Sequence, residues 1–540
     1  ITSFLGTQEV FLLTAQFHVK SKVEDIVLVL LPWRALVLPA KFPIKVQASF
    51  SYLAVQLIKM GQAGQVVIET DTTYEFVFLS LDDLEYMVIH MVEFLKKMFP
   101  DFSPWWILRV YAVLCDYSGL PLREEIQCGM WITSITSKDA KSLNLLDFGY
   151  LDSHRTQLSV WLPWLSINRW FTRLHCKDVF VESRYSDQIL YVLSKSAVTL
   201  EELVLEKLYW KVEFAQRMAQ VLGNHPDSPL DMINLSGNLL EDRGMAVLCQ
   251  SLLSNELFRT SLRHLDLSGN LGSLATDDAC GLYLFLSQPN ALAHLDLSGT
   301  DCALDLLFGA LAGGCCGSLV HLNLSKNIYS HKKNREAPPA IGKFFRKASV
   351  LQHISLAGTK LPPEALRALL QGLARNSQLT GLHLDLSGCE VIQDLLLDAS
   401  SIGNLNLSDN GRSIHFSALT AQTAFVHELE SFDSDMVTLV LAISRSRSIR
   451  HIALGKNFNI RSREALDDIL HRIVQLTQDE DCSVKSLSVA ESRLKLGTSI
   501  LLDSLGSSSS NLVTLDISGN AMGDFGAKIL AKALSMNTML

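Results

Sequence analysis

Six histidines occupy the same position of a recurring sequence pattern, each directly before a leucine or an isoleucine. They are His264, His294, His321, His353, His383 and His451. Each of the first five histidines is followed, two positions later, by another polar residue. These residues are Asp266, Asp296, Asn323, Ser355 and Asp385. Imidazoles and carboxylates are ligands for transition metals, and imidazole also titrates near pH 6.5.

The spacing of these residues favours one of these chemistries over the other. If each histidine stands on its own short strand, neighbouring imidazoles point in parallel, roughly 4.8 Å apart. Such a row converges poorly on one ion, so we expect no metal site and instead a polar docking surface for a protein. Two further interpretations stay open. Histidine simply suits this position, or the row is a pH switch whose protonation below about pH 6 destabilises the repeats.

Signatures of catalysis are missing from the sequence. It contains no phosphate-binding G-x-x-x-x-G-K-[ST], no H-E-x-x-H and no G-x-S-x-G. The glycine-rich segment Gly313–Gly317 precedes a repeat strand and lacks the lysine of a phosphate loop. The ten cysteines form no C-x-x-C pair, which predicts reduced, mostly buried thiols. We therefore expect no catalytic residue, no cofactor and no enzymatic activity.

Composition narrows the class of protein further. The chain has 540 residues, of which 48% are hydrophobic and 19% charged, which predicts a folded chain of several units or a repeat array. The net charge of −9 argues against direct nucleic-acid binding. The most apolar run, Trp105–Cys115, is interrupted by Arg109 and is shorter than the roughly 20 residues that cross a bilayer. We expect a soluble protein of the cytoplasm.

The histidines and acids belong to the repeat L-x-x-L-x-L-x-x-N. Its leucines would point inward and stack on those of neighbouring turns, because one turn cannot bury its own apolar face. The asparagine would satisfy backbone groups where the chain leaves the strand, and threonine or cysteine can partly replace it. Ten copies have their third apolar position at Leu235, Leu267, Leu297, Leu324, Leu356, Leu386, Leu407, Leu454, Val489 and Ile517.

The repeat length predicts the architecture. Successive copies from Leu235 to Leu386 are 27 to 32 residues apart, which leaves room for a helix after each strand. The segments Gly244–Leu253, Leu304–Leu311 and Pro363–Leu373 are predicted to be such helices. The fold class is therefore an α/β leucine-rich-repeat solenoid over residues 141–540, a horseshoe whose concave side is lined by a parallel sheet.

Two intervals between copies depart from this spacing. The interval from Leu386 to Leu407 is only 21 residues, which suggests that residues are missing near 389–391. The interval from Leu407 to Leu454 is 47 residues, and Arg412–Ser431 is the predicted insertion. The chain begins without methionine and ends after a repeat helix with no polar cap, so we expect a piece of a longer protein with the C-terminal cap missing.

Residues 1–103 lack the repeat and suggest a different domain. The predicted strands are Glu9–Phe17, Ile26–Leu31, Arg34–Leu38, Lys45–Tyr52, Gln65–Thr70 and Tyr74–Leu79. An amphipathic helix follows, with the apolar face Leu81, Leu84, Met87, Val88, Met91, Val92, Leu95 and Met98, and Ser80 with Asp83 offers an N-cap. Several antiparallel strands followed by one helix predict a pleckstrin-homology-like β-barrel.

Such a domain could contact anionic lipids through basic loops. The candidates are Lys20, Lys22, Arg34, Lys41, Lys45 and Lys59. Acids slightly outnumber bases over residues 1–100, so any lipid contact should be weak, and an ordinary solvated surface is the alternative. Residues 104–140 are predicted to be a linker, in which Trp105, Trp106, Ile107 and Val110 fix the domain against the solenoid.

Longer strings give a sharper resemblance. Five segments resemble the CARMIL family of actin capping-protein regulators, and in this order they span nearly the whole chain. They are Leu143–His154, Leu230–Gly244, Leu284–Asp305, Val489–Leu496 and Leu515–Leu534.

The resemblance implies a non-enzymatic scaffold at the plasma membrane and the actin-rich leading edge of migrating cells. It also implies that the segments that bind capping protein, and a helical segment for homodimerisation, follow the repeats and lie outside this chain. The alternatives are a repeat-based sensor or inhibitor that binds a protein on the concave face, and a regulator of GTP hydrolysis. An immune receptor of the first kind would carry a nucleotide-binding loop, which is absent.

Overall fold

The computed structural model divides the chain into two compact units, residues 1–171 and 172–540. The predicted linker limits at 103 and 140 stay predictions, since most residues around them are not described. The structure describes residues 10–19, 22–62, 64–98, 112–117, 119, 141–144, 171–178, 183–194, 200–224, 230–327, 339–359, 361–389, 402–408, 439–441, 443–458, 463–506 and 510–540.

The first unit contains a seven-stranded antiparallel sheet. Its strands are β1 (Phe11–Val19), β2 (Lys22–Leu30), β3 (Arg34–Pro39), β4 (Ala48–Ser51), β5 (Leu57–Met60), β6 (Gln65–Glu69) and β7 (Thr73–Phe78). The strand order is β4-β3-β2-β1-β7-β6-β5, followed by helix α1 (Leu81–Met98). A 3-10 turn covers Tyr52–Ala54, residues 112–117 are helical, and Ser142–Asn144 is a short strand.

Helix α1 confirms the predicted amphipathic segment with two corrections. The Asp83 N–H donates to Ser80 Oγ (3.3 Å), which is the predicted N-cap. Leu84, Met87 and Met91 are buried as expected. Leu81, the first residue of the helix, is in contrast 68% exposed, and Val92 is also exposed.

The sheet differs from the predicted strands at two places. The predicted strand Lys45–Tyr52 begins only at Ala48, so the apolar side chains of Ile44 and Val46 are exposed in a loop. Strand β5 was missed, because it is an edge strand on which Leu57 and Met60 are exposed and the apolar alternation of a half-buried strand is absent.

The second unit contributes twelve parallel strands to one sheet, in chain order. Leu235, Leu267, Leu297 and Leu324 are each 1% exposed or less, which confirms the predicted internal leucine column. The strands are Arg173–Lys177, Glu202–Glu206, Met232–Asn234, His264–Asp266, His294–Asp296, His321–Asn323, His353–Ser355, Leu382–Asp385, Ile402–Asn406, His451–Ala453, Ser486–Ser488 and Thr514–Asp516.

Helices form the other layer of the repeats. Packed helices lie about 8–10 Å apart and strands about 4.8 Å apart, so the sheet must lie on the concave side. The helices are Ser183–Leu193, Val212–Asn224, Glu241–Ser254, Phe258–Ser261, Cys280–Ser287, Leu304–Gly314, Pro339–Lys347, Pro363–Ala374, Arg463–Gln478, Thr498–Leu505 and Gly523–Met536, with 3-10 turns at Asp277–Ala279 and Lys495–Gly497.

The asparagine of the repeat joins neighbouring turns through the backbone. Asn327 Nδ2 donates to the carbonyl oxygens of Leu324 (2.9 Å) in its own repeat and Leu297 (2.8 Å) in the preceding one. Its Oδ1 accepts from the Cys302 N–H (3.1 Å). Since Asn327 is buried, these bonds satisfy polar groups that water cannot reach.

Threonine and cysteine replace this asparagine as expected, with fewer bonds. A hydroxyl has one hydrogen to donate, whereas an amide has two. Thr300 donates to the carbonyl of Leu297 (2.7 Å), and Thr359 donates to the carbonyl of Leu324 in the preceding repeat (3.1 Å).

The two irregular intervals have only partly described segments. The strands Leu382–Asp385 and Ile402–Asn406 are direct neighbours despite the short interval, with a register shift between Leu382 and His383. We expect missing residues near 389–391, and this place borders residues 390–401, which lie outside the described residues. The predicted insertion at 412–431 falls within residues 409–438, which also lie outside them.

We predict that Asn327→Ala destabilises the repeats by roughly 1–3 kcal/mol, because it leaves the Cys302 N–H buried without a partner and removes one of the two side-chain hydrogen bonds that the Leu297 and Leu324 carbonyls accept. Asn327→Thr should cost about half as much, since this chain uses threonine at positions 300 and 359. Thermal melting and native-state hydrogen exchange of both variants measure the difference. Equal stability of the alanine variant and the wild type would show that these hydrogen bonds contribute nothing net.

Candidate docking surface on the repeat sheet

Five of the predicted histidines face one another on adjacent strands. Parallel pairing places His264 opposite His294, His294 opposite His321, His321 opposite His353 and His353 opposite His383. We call these five side chains the histidine stack. Their slot alternates with the buried leucines, so the imidazoles emerge on the exposed face of the sheet.

Ring geometry makes the stack continuous. The centroids of His321 and His353, and of His353 and His383, are 4.4 Å apart, with interplanar angles of 15° and 11°. The first two steps are wider, at 5.2 Å and 5.5 Å. The next strand places Asn404 opposite both His383 and His451. His451 is therefore separated from the stack by one strand.

Three members of the stack favour neutral imidazole. Partial burial, and then the neighbouring rings of His321 and His383, lower the pKa of His353 from 6.5 to about 4. Burial, followed by neighbouring histidines, also lowers the pKa of His264 and of His321. His353 Nδ1 is buried with no hydrogen-bond partner, which fits a ring that stays uncharged.

The second predicted row has a structural role that the sequence did not reveal. One side-chain oxygen of each acid or amide in the row accepts the backbone N–H two residues further on, at 2.9–3.1 Å. This turn recurs at Asn234, Asp266, Asp296, Asn323, Asp385, Asn406 and Asp516. The row thus ends the strands as well as presenting polar groups.

The remaining oxygens of this row form hydrogen bonds along the sheet. Asp296 Oδ2 accepts from Asn323 Nδ2 (2.7 Å), and Asp385 Oδ2 accepts from the Ser355 hydroxyl (3.2 Å). Burial raises the pKa of Asp266, against the bonds from Ser268 that lower it. Polar groups in this row point in parallel. Within the described ranges, no group of three or more histidine, cysteine, aspartate or glutamate side chains could hold a metal ion.

Sequence reasoning missed a group of charged side chains on the strands Arg173–Lys177 and Glu202–Glu206, which precede the histidine stack in the sheet. Arg173 Nε lies 2.9 Å from Glu202 Oε1, and His175 Nε2 lies 3.4 Å from Glu202 Oε2. Burial lowers the pKa of His175 despite this carboxylate. The string Leu200-Glu-Glu-Leu203-Val-Leu205 follows the first part of the repeat without its asparagine, and Glu202 stands before its second leucine. Aligning this string with the ten copies would have found Glu202.

The basic residues predicted to meet lipid do not form one cluster. Lys22, Lys41 and Lys45 are exposed at one end of the first sheet, where β2 begins and β3 ends. Arg34 lies at the other end, where its Nε donates to Asp116 Oδ2 (2.8 Å), and Lys59 on β5 pairs with Glu69. Lys20, and the apolar linker residues 105–107 and 110, lie outside the described residues.

Most thiols of the described residues are buried, which makes them unsuited to nucleophilic chemistry. Nine described cysteines are free, and seven of them are buried. Burial raises the pKa of Cys249 and of Cys302 to about 12, so neither forms a thiolate near neutral pH.

Among the described helices, none combines the length and apolar character needed to cross a bilayer.

The sheet, its buried leucines and its parallel polar rows define a leucine-rich-repeat protein with an N-terminal pleckstrin-homology-like domain. Residues 243–540 match the model of the CARMIL family, LRR domain, and residues 11–100 match the Carmil pleckstrin homology domain. The chain therefore belongs to the CARMIL family, as the resemblance had indicated.

Curated relatives support this membership over nearly the whole chain. The mouse "Capping protein, Arp2/3 and myosin-I linker protein 2" is 46% identical over 97% of this chain and 42% of its own length. The human linker protein 3 is 42% identical over 97% of this chain and 42% of its own length. Protein CARMIL of Dictyostelium discoideum is 26% identical over 80% of this chain. The chain spans about two-fifths of the length of these relatives.

We predict that acidification from about pH 7.5 to 5.5 lowers the melting temperature of the repeat unit by a few degrees. Folding lowers the pKa of three stacked imidazoles, those of His264, His321 and His353, so these three bind protons first in the unfolded chain. The stack's contribution to stability is complete above about pH 6.5 and is lost progressively as the pH falls toward about 4.

The double variant His321→Asn/His353→Asn should lose much of this pH dependence, since the chain itself places Asn404 in the same slot. His451→Asn is the matched control, because His451 stands outside the stack. An identical pH dependence of the melting temperature in the double variant and the wild type would rule out the stack as its source.

Proposed function

We propose that this chain is a non-enzymatic scaffold in the regulation of actin assembly. Membership of the CARMIL family carries the proposal, together with relatives that are named as linkers of capping protein, Arp2/3 and myosin-I. The structure is consistent with a scaffold, because its polar rows point in parallel from a wide sheet, whereas catalysis needs groups that converge on one reacting atom.

We further propose a division of labour along the protein. Binding of capping protein is assigned to a segment beyond these 540 residues, as is a helical segment for homodimerisation. This assignment rests on what the family resemblance implies. The present chain would then position the protein in the cytoplasm, at the plasma membrane of the leading edge in migrating cells.

A second proposed function is the docking of a protein partner on the repeat sheet, and the exposed polar face of that sheet favours it. The histidine stack and the adjoining acid row offer a long, exposed polar face whose backbone hydrogen bonds are already made. A sensor or inhibitor would use this same face, so the two functions share the candidates at His264, His294, His321, His353, His383 and His451.

Weak contact with anionic lipids is proposed for the first unit. Lys22, Lys41 and Lys45 are exposed at the same end of its sheet. Clusters of about 4–8 basic residues are typical of strong electrostatic binding to a membrane, so three lysines support only a weak contact. Arg34 and Lys59, which pair with acids, are less suited to this role.

We predict that capping protein is not retained by the 540-residue chain in a pull-down. It should be retained by a form continued past Leu540 with the segment that follows the matched region of the mouse relative. The comparison uses purified capping protein and equal amounts of both baits. Retention by the 540-residue chain alone would contradict the division of labour.

We also predict that Lys22→Gln/Lys41→Gln/Lys45→Gln weakens binding to phosphatidylserine-containing vesicles by at least about tenfold, since each lysine near such a surface contributes about 1 kcal/mol. Lys59→Gln is the matched control, because the Lys59 charge already pairs with Glu69. Co-sedimentation at low salt measures both. An equal loss in both variants would show that the three lysines have no special position.

A further inference from the structure

The loop between β3 and β4 exposes apolar side chains that the fold leaves uncovered. Phe42 is 89% exposed, Ile44 is 42% exposed and Val46 is 40% exposed. Val23, at the start of β2, is also exposed, by 53%. Single exposed apolar residues are ordinary, but three within five residues of one loop form an apolar tip that meets water at a free-energy cost.

Hydrogen bonds hold the base of this loop. The Ala40 N–H donates to the Asp25 carbonyl (3.1 Å), and the Gln47 N–H donates to the Val37 carbonyl (2.9 Å). Gln47 Nε2 also donates to Glu24 Oε2 (3.0 Å). Because both ends are tied to β2 and β3, the residues between them project as a tip, and every one of residues 41–46 is exposed.

The charges around the tip are arranged for an anionic surface. Lys41 and Lys45 alternate with the apolar side chains in the loop, and Lys22 lies beside Val23. Two acids are near, Glu24, which accepts from Gln47 (3.0 Å), and Asp25, which accepts from Gln16 (3.3 Å). These amide donors are neutral and both carboxylates keep their charge, so the three lysines exceed the acids by one. Long lysine side chains can keep their ammonium groups at headgroup level while a neighbouring apolar side chain goes deeper.

We propose that the Phe42–Val46 tip inserts into the outer acyl region of an anionic bilayer while Lys22, Lys41 and Lys45 contact the headgroups. This inference rests on the lipid contact proposed above and adds the residues that penetrate. Three lysines are too few for firm electrostatic binding, and one small apolar tip is too little for firm insertion. One weak signal gives only marginal binding to a membrane, whereas two signals together can hold a protein there.

A bilayer fits the tip better than a protein partner does. A stable protein interface buries about 800 Å² on each side, and a projecting turn of six residues cannot supply that area by itself. A bilayer accepts a convex tip without a matching cavity. An aromatic ring beside lysines is also the composition typical of the membrane interface.

The test compares Phe42→Ser/Ile44→Ser with Met60→Ser in the 540-residue chain. Met60 is similarly exposed but lies on β5, at the opposite edge of the sheet. With phosphatidylcholine vesicles containing phosphatidylserine, the double variant should bind about tenfold or more weakly, a change set by the apolar area withdrawn from the bilayer. The Met60 variant should bind like the wild type, and equal melting temperatures would show that all three proteins are folded.

Two further measurements separate insertion from charge. High salt should remove the contribution of the lysines and leave a residual affinity that the double variant lacks. Phe42→Trp should gain tryptophan fluorescence that lipids with brominated acyl chains quench, compared with the wild-type background. Unchanged affinity of the double variant and no added quenching would overturn insertion and leave the electrostatic contact standing. Failure of the wild type to bind these vesicles at all would overturn the lipid contact itself.

Discussion

The repeat unit depends on stacking between turns that cannot bury their own apolar residues. Leu235 to Leu324 form one dry column, and asparagines such as Asn327 bind carbonyl groups of two neighbouring turns at once. Each turn therefore receives both its apolar cover and its polar satisfaction from the next. Because these needs are met on the inner side, the outward slots of the strands are free to vary, and function can be placed there.

The two outward rows are not equally free. Asp266 and Asp296 each bind the N–H of the serine two residues on, so the acid row is partly required by the turn that ends each strand. No such local turn explains the histidines. Burial, and then the neighbouring rings, lower the pKa of His353, and this is a cost that an asparagine, as at position 404, would avoid. The histidine stack is for this reason the stronger indication of a selected surface.

Sequence patterns predicted what periodicity controls and missed what tertiary contact controls. The repeat strands, the leucine column and the Ser80 cap follow from local spacing, and the structure has them. The Arg34–Asp116 pair joins residues 82 positions apart, and no local pattern signals it. Val46 was predicted to lie in the strand Lys45–Tyr52, but strand β4 starts only at Ala48, so Val46 belongs to an exposed loop instead.

The tightest part of the stack lies in turns whose polar links to the preceding turn are weaker than those that an asparagine makes. His321, His353 and His383 make the 4.4 Å steps, and the repeats that carry the last two have Thr359 and Cys389 in the asparagine slot. A hydroxyl or thiol can serve one carbonyl where an amide serves two. Charge introduced among these rings would therefore act on turns with less side-chain hydrogen bonding than the asparagine turns have, and a local loss of strand pairing there would affect the histidine stack before it affected the rest of the sheet.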